Sequence, residues 1–169
     1  MLFTGLFLFF LGISLITQLY LSVRHAGYIR RHRDQVPEAF SAKLDLPAHQ
    51  KAADYAVARE HIGRVDLVLG SLLLLGWTLG GGIAWVDATL RQFISGSFTL
   101  GIAVVLAVLG TCSLIELPMN YWKTFHLEER FGFNRTTLKT WLVDLFKGTL
   151  LSTLLLTPLL AVFFWLMEQ

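Results

Sequence analysis

Five histidines, His25, His32, His49, His61 and His126, are the first residues to weigh for chemistry. Two histidines four apart on one helix face, with a glutamate after the first, could hold zinc and activate its bound water. No two of these five are four apart. The nearest look-alike, His126-Leu127-Glu128-Glu129, lacks the second imidazole. His25 and His32 stand among Arg30, Arg31 and Arg33, whose charge opposes a dication. His49 and His61 are twelve apart, about 18 Å along a helix and too far to share an ion. A Ser-His-Asp arrangement, a phosphate-cradling glycine loop and a dinucleotide fingerprint are missing; Gly80-Gly81-Gly82 lies inside an apolar run. The one cysteine, Cys112, has no second thiol for an internal disulfide and reads as a small apolar side chain.

One stretch gathers polar and aromatic residues densely: ELPMNYWKTFHLEERFGFNRTTLKTWLVDLFK, residues 116–147. Pro118 is expected to end the preceding helix, because it supplies no N–H and disfavours helical geometry in the residue before it. Glu128 and Glu129 face Arg130 and Arg135 across Phe131-Gly132-Phe133-Asn134, and are read as structural partners of these arginines or of a neighbouring loop. Gly132 and Asn134 are residue types that reach positive φ cheaply. Thr136 or Thr137 can cap the next helix, which carries Trp141, Asp144 and Lys147. Asp144 and Lys147, three apart, can pair locally. Phe131, Phe133, Trp122 and Trp141 are assigned to loop packing and interface anchoring, and Lys123 to a solvated charge. Glu116 sits at the edge of an apolar block, where an ionisable group is a functional candidate.

The elements that must position this stretch are apolar. Of 169 residues, 54% are hydrophobic and 15% charged, against about 25% charged in a soluble domain. Residues 1–23, 67–86, 98–115 and 148–167 carry no charge, and each meets the roughly 18-residue threshold for a membrane helix. A soluble core of such helices would need polar faces. The expected fold is therefore an all-α integral membrane protein. It is one domain over residues 1–169, with transmembrane helices at about 1–23, 65–86, 97–117 and 148–167 and helical or irregular loops at 24–64 and 118–147. The first helix is read as a retained anchor: no Lys or Arg precedes it, its apolar run is long, and no Ala-x-Ala site follows. A helix is expected to begin near Pro47 and continue into the second span, with Gly80–82 bending its outer half. Pro158 is expected to kink the last helix.

Thirteen of the fourteen Lys and Arg lie in the two large loops, and one, Arg91, in the short loop between them. The positive-inside rule then puts the large loops in the cytoplasm and both termini outside. The basic runs read as topology signals and not as a nucleic-acid surface. On that side the sequon Asn134-Arg135-Thr136 would go unused. Short loops and bare composition point to a bacterial inner membrane in preference to the endoplasmic reticulum.

Leu117-Pro118, Tyr121, Thr124-Phe125, Glu128-Glu129, Phe131-Gly132-Phe133-Asn134, Thr137, Asp144 and Lys147 together resemble the signature of the integral-membrane CAAX prenyl endopeptidases, zinc metalloproteases of the gluzincin type. A weaker match is Val36-Pro37-Glu38 followed by His49-Gln50-Lys51-Ala52-Ala53-Asp54-Tyr55. Both concern the N-terminal membrane region of that family. The resemblance implies helices that help enclose an intramembrane chamber for a prenylated or other membrane-associated peptide. It also implies zinc in the full-length family, and a catalytic part of the same protease lying further along than the matched region. It gives Glu116, Pro118, Tyr121, Glu128, Glu129, Phe131, Gly132, Phe133, Asn134, Thr137, Asp144 and Lys147 structural or chamber- and loop-forming roles. No catalytic or metal residue is expected in this chain. The alternative is a non-catalytic four-helix scaffold or adaptor. A transporter-like subunit is disfavoured, since the apolar blocks offer no charge to guide a polar substrate.

Overall fold

The computed structural model describes residues 2–40 and 44–167. The expected helix start at residue 1, the end of the domain at residue 169, and Lys43 of the charge count lie outside the described residues. Among the described residues every regular element is helical: α1, Leu2–Arg31; a 3₁₀ turn, Glu38–Phe40; α2, Leu46–Thr78; α3, Gly82–Leu90; α4, Ser97–Trp122; a π-helical turn, Lys123–Glu128; and α5, Leu138–Met167. Among the described residues, three helical stretches are long and apolar enough to cross a bilayer: Leu2–Arg31, Ser97–Glu128 and Leu138–Met167. α2 and α3 make a fourth crossing if the bent pair is one span. The most apolar windows of α1 and α5 are 0% buried within the protein. In water such surface would have to be hidden; here it matches lipid. The chain is an integral membrane protein.

Several boundaries differ from the sequence reading. α1 runs on to Arg31, past the expected end at 23. Residues 24–31 hold nothing that breaks a helix except Gly27, so the backbone bonding continues past the first charge. The helix start expected near Pro47 falls at Leu46, and α2 enters the apolar block without interruption. Pro118 does not end its helix: α4 continues through it to Trp122. Proline removes one N–H donor and crowds the preceding turn, which can kink a helix without stopping it. The irregularity instead appears five residues later, as the π turn, a form that inserts a residue into the helical ladder. α5 likewise includes Pro158 within one helix.

The glycine run does bend its helix. α2 and α3 meet at 53° across residues 79–81. The Leu75 carbonyl accepts from both Leu79 N–H (2.9 Å) and Gly80 N–H (2.8 Å). Gly81 turns the chain at φ 76°. A Cβ on Gly80 would stand 2.7 Å from the Gly76 carbonyl oxygen, and one on Gly82 2.7 Å from the Trp77 ring.

The described residues form two compact units. The first comprises α1, α2 as far as Leu74, and Phe125–Phe133. Ala26, Ala53, Ile62, Leu127 and Phe131 are its buried apolar residues, and polar side chains tie α1 to α2: the Ser22 hydroxyl donates to Glu60 Oε2 at 2.6 Å. The second unit holds α3, α4 and α5, with α4 packed against both neighbours. Val86 and Leu100 are buried there, and a Cβ on Gly101 would come within 2.8 Å of the Phe164 ring. A small residue at that point lets two helices approach, the usual device of packing in lipid. Trp77 Nε1–H donates to Cys112 Sγ at 3.0 Å, giving the half-buried thiol a packing role.

Candidate functional site

The motif stretch is held by its own backbone before any side chain acts. Within the π turn the Thr124 hydroxyl donates to the Asn120 carbonyl at 3.1 Å. Next comes the turn built on Gly132, at φ 68°. Gly132 N–H donates to the Glu129 carbonyl and Phe133 N–H to the Glu128 carbonyl, both at 2.9 Å. The adjacent glutamates thus close the turn through their main chain. Gly132 takes the positive φ that its residue type allows; Asn134 does not. The Asn134 side chain instead accepts from Thr136 N–H at 2.7 Å, an Asx turn. Thr137 is the helix cap: its hydroxyl accepts from Thr140 N–H at 3.2 Å.

Two aromatic rings flanking Gly132 close on one tyrosine. Tyr55 meets Phe131 at 5.4 Å and Phe133 at 4.9 Å between centroids, edge to face in both cases, the favoured geometry for aromatic pairs. Lys51 Nζ lies 5.3 Å from the Phe133 centroid and the Arg130 guanidinium 5.7 Å from that of Phe131. The principal motif and the weaker 49–55 match, about eighty residues apart in sequence, are therefore one packed cluster.

A polar layer joins α1 to the same part of α2. Arg33 grips Asp54 with two bonds, 2.7 and 2.8 Å, and also donates to Asp34 at 3.1 Å. Gln50 donates to Asp34 at 2.7 Å, and His49 Nε2 lies 3.1 Å from the His32 carbonyl oxygen. The Arg33 hydrogen bond, and secondarily the charges of Arg33 and Arg130, hold the Asp54 carboxyl below its ordinary value against the opposing effect of burial. The same bond raises Arg33. The Arg33–Asp54 pair was not legible as a site because its partners are twenty-one residues apart; the one pointer was Asp54 inside the matched stretch.

The remaining motif residues belong to the second unit. Glu116 and Pro118 are exposed on α4, and Asp144 and Lys147 on α5. Tyr121 packs edge to face on Trp141 at 5.7 Å. Lys123, expected to be solvated, is half-buried and has an interaction partner, because it begins the π turn instead of lying on a loop. Among the described residues no group of three or more His, Cys, Asp or Glu could hold a metal ion. The side chains that are present pack, cap and pair. They do not fit zinc.

The features define an all-helical membrane protein in which a polar stretch between two apolar helices, 116–147, carries a cluster of aromatic and charged side chains. Residues 25–169 match the family model described as CAAX prenyl protease N-terminal, five membrane helices, and the chain belongs to that family. The description counts five membrane helices; here α1, α4 and α5 can cross singly, with α2 and α3 as one further bent crossing. The chain is 29% identical over 159 residues to the probable CAAX prenyl protease 1 of Schizosaccharomyces pombe, covering 86% of this chain and 33% of that protein. It is 35% identical over 72 residues to the CAAX prenyl protease 1 of Saccharomyces cerevisiae, covering 40% and 16%. The crystal structure of S. mikatae Ste24p superposes with a TM-score of 0.81 at 21% identity over 91% of this chain and 37% of that one, a likeness of fold. The chain spans about a third of the length of the S. pombe relative.

Proposed function

We propose that this chain acts as the membrane-embedded N-terminal part of a CAAX-type zinc metalloprotease, helping to enclose an intramembrane chamber that holds a prenylated C-terminal peptide or another membrane-associated polypeptide. The observation that carries the reading is a family match over residues 25–169 in a chain about a third as long as its S. pombe relative. Zinc and catalysis then reside in a C-terminal catalytic part, the partner of this chain. Glu116, Pro118, Tyr121, Glu128, Glu129, Phe131, Gly132, Phe133, Asn134, Thr137, Asp144 and Lys147 take structural or chamber- and loop-forming roles. The charge bias supports large polar segments in the cytoplasm and both termini outside. Loop length and composition support a bacterial inner membrane over the endoplasmic reticulum.

The test exchanges the matched segment of the S. pombe protein for this chain and measures zinc content and cleavage of a prenylated peptide. The chimera is expected to bind zinc and cleave, and the 169-residue chain alone to do neither. About one zinc per isolated chain, lost in His126→Ala, would refute the assignment of the metal chemistry to the partner. A folded, zinc-loaded chimera without activity would favour the non-catalytic scaffold.

A further inference from the structure

We propose that Arg30, His61 and Arg64 form a binding site for a phosphate oxyanion, supplied by the headgroup of an anionic phospholipid, where α1 and α2 leave the apolar layer. Arg30 Nη2 lies 2.9 Å from His61 Nε2. A guanidinium can only donate, so the imidazole nitrogen accepts and the ring is neutral, with its proton on the other nitrogen. Arg64 follows His61 by three residues on the same helix, which puts both on one face. Arg64 is a half-buried residue, and its guanidinium makes no hydrogen bond or ion pair among the described residues. Arg30 likewise has no carboxylate partner there, whereas Arg33 and Arg91 both do. Of the two acids beside Arg64 in sequence, Glu60 accepts the Ser22 hydroxyl at 2.6 Å and Asp66 has an interaction of its own. Burial first, then the charges of Arg64 and Arg30, push the His61 imidazole below its ordinary value.

An anion is what such a cluster lacks. Arginine's planar fork matches phosphate oxygens, and the neutral imidazole can turn its N–H toward the same ion. The level along the helix selects the source. The charge-free block of α2 begins at Leu67. Arg64 and His61 therefore stand about 4.5 and 9 Å beyond the apolar boundary at 1.5 Å per residue. The headgroup layer, where lipid phosphates lie, occupies roughly the first 5–8 Å there; Arg64 stands within it, while His61 and Arg30, the latter seven residues past Val23 and so about 10.5 Å out, stand at its outer edge, from which a long arginine side chain can turn back toward the phosphates. Free phosphate has the same chemistry but no cause to be concentrated at that depth.

The full chain in dodecyl maltoside is titrated with phosphatidylglycerol, with phosphatidylcholine and, separately, with inorganic phosphate, following lipid retention by native mass spectrometry and the thermal midpoint. Phosphatidylglycerol is expected to be retained and to raise the midpoint, and phosphatidylcholine and inorganic phosphate at equal concentration to do neither. The double variant Arg30→Gln/Arg64→Gln should bind about tenfold or more weakly, in line with the loss of charge-assisted hydrogen bonds. A control with the same charge change, Arg135→Gln/Lys139→Gln, should bind as the parent does. Equal loss in both pairs would reduce the effect to general attraction and overturn the site. A midpoint raised by inorganic phosphate but not by phosphatidylglycerol would overturn the lipid as its source. If the double variant is unfolded without lipid, Arg64→Lys serves instead: it keeps the charge, removes the fork, and should weaken retention while leaving the lipid-free midpoint unchanged. Undiminished retention in a folded Arg64→Lys protein would equally sink the proposal.

Discussion

Substitutions at Gly132 isolate a backbone cost from a packing cost. A Cβ built there meets nothing nearer than Lys51 Nζ at 3.7 Å, so space is not limiting; the φ of 68° is. Holding an ordinary L-residue in the left-handed region costs about 1–2 kcal/mol, with Asn tolerated better because its short side chain bonds locally. Such strain runs to about 3 kcal/mol in general, and a β-branched residue belongs at the upper end. The expected order of destabilisation is Gly132→Asn, then Ala, then Val. In a chain of this size each kcal/mol moves the thermal midpoint by roughly 2–4 °C, so Gly132→Ala should lose about 2–8 °C and Gly132→Val more. Lys139, exposed on the first turn of α5, is the control, since surface changes stay within about 0.5 kcal/mol; half-buried Lys123 is unsuited to that purpose. The assay is thermal unfolding of each purified variant in one detergent. A Gly132→Val midpoint equal to that of Lys139→Ala, or an Asn variant as weak as Val, would refute the reasoning.

Single cysteines at exposed positions 40, 92 and 130, in a Cys112→Ala background, should react differently with an impermeant reagent on intact cells. Position 92 should label and positions 40 and 130 should not; the reverse pattern would invert the proposed orientation. Asp54 has a folded-state pKa held below its unfolded value, so its ion pair stabilises above the ordinary carboxylate range and that contribution is lost as pH falls through the lowered value. Pairs of thermal melts across that range should show parent and Asp54→Asn separated at neutral pH and converging in acid; a gap that widens in acid contradicts the pairing. Gly101→Leu, which drives a side chain at Phe164, should cost about 1–3 kcal/mol by overpacking, read as a lower midpoint, whereas Gly110→Leu, with nothing within 4 Å of its Cβ, should not.

How much could be read in advance depended on how far apart the cooperating residues lie. The apolar blocks, the bend at Gly80–82, the positive φ of Gly132 and the Thr137 cap are local properties, set by residues within a few positions of one another. The resemblance carried by 116–147 brought the family into view, and two of its aromatics, Phe131 and Phe133, turned out to close on Tyr55. The pairing itself was invisible, as was Arg33–Asp54, because no periodicity links residues so far apart. Charge marks the membrane edge at 24–31 but not the end of α1, because a helix does not need apolar residues to continue once begun. Proline misled at 118, where lost bonding at one position was mistaken for termination.

The length of α2 outside its apolar block has a solvent consequence. Tyr55 stands twelve residues before Leu67, about 18 Å along the helix and well past a headgroup layer of roughly 5–8 Å. The Tyr55–Phe131–Phe133 cluster therefore lies on the aqueous side of the headgroups, where water-borne urea acts on it. Its small apolar area should give a shallow denaturant slope, and its amides should exchange with deuterium long before those of the lipid-covered turns of α1 and α5. A calorimetric scan of such a chain would record two kinds of melting, one obeying the rules of soluble proteins and one those of the bilayer.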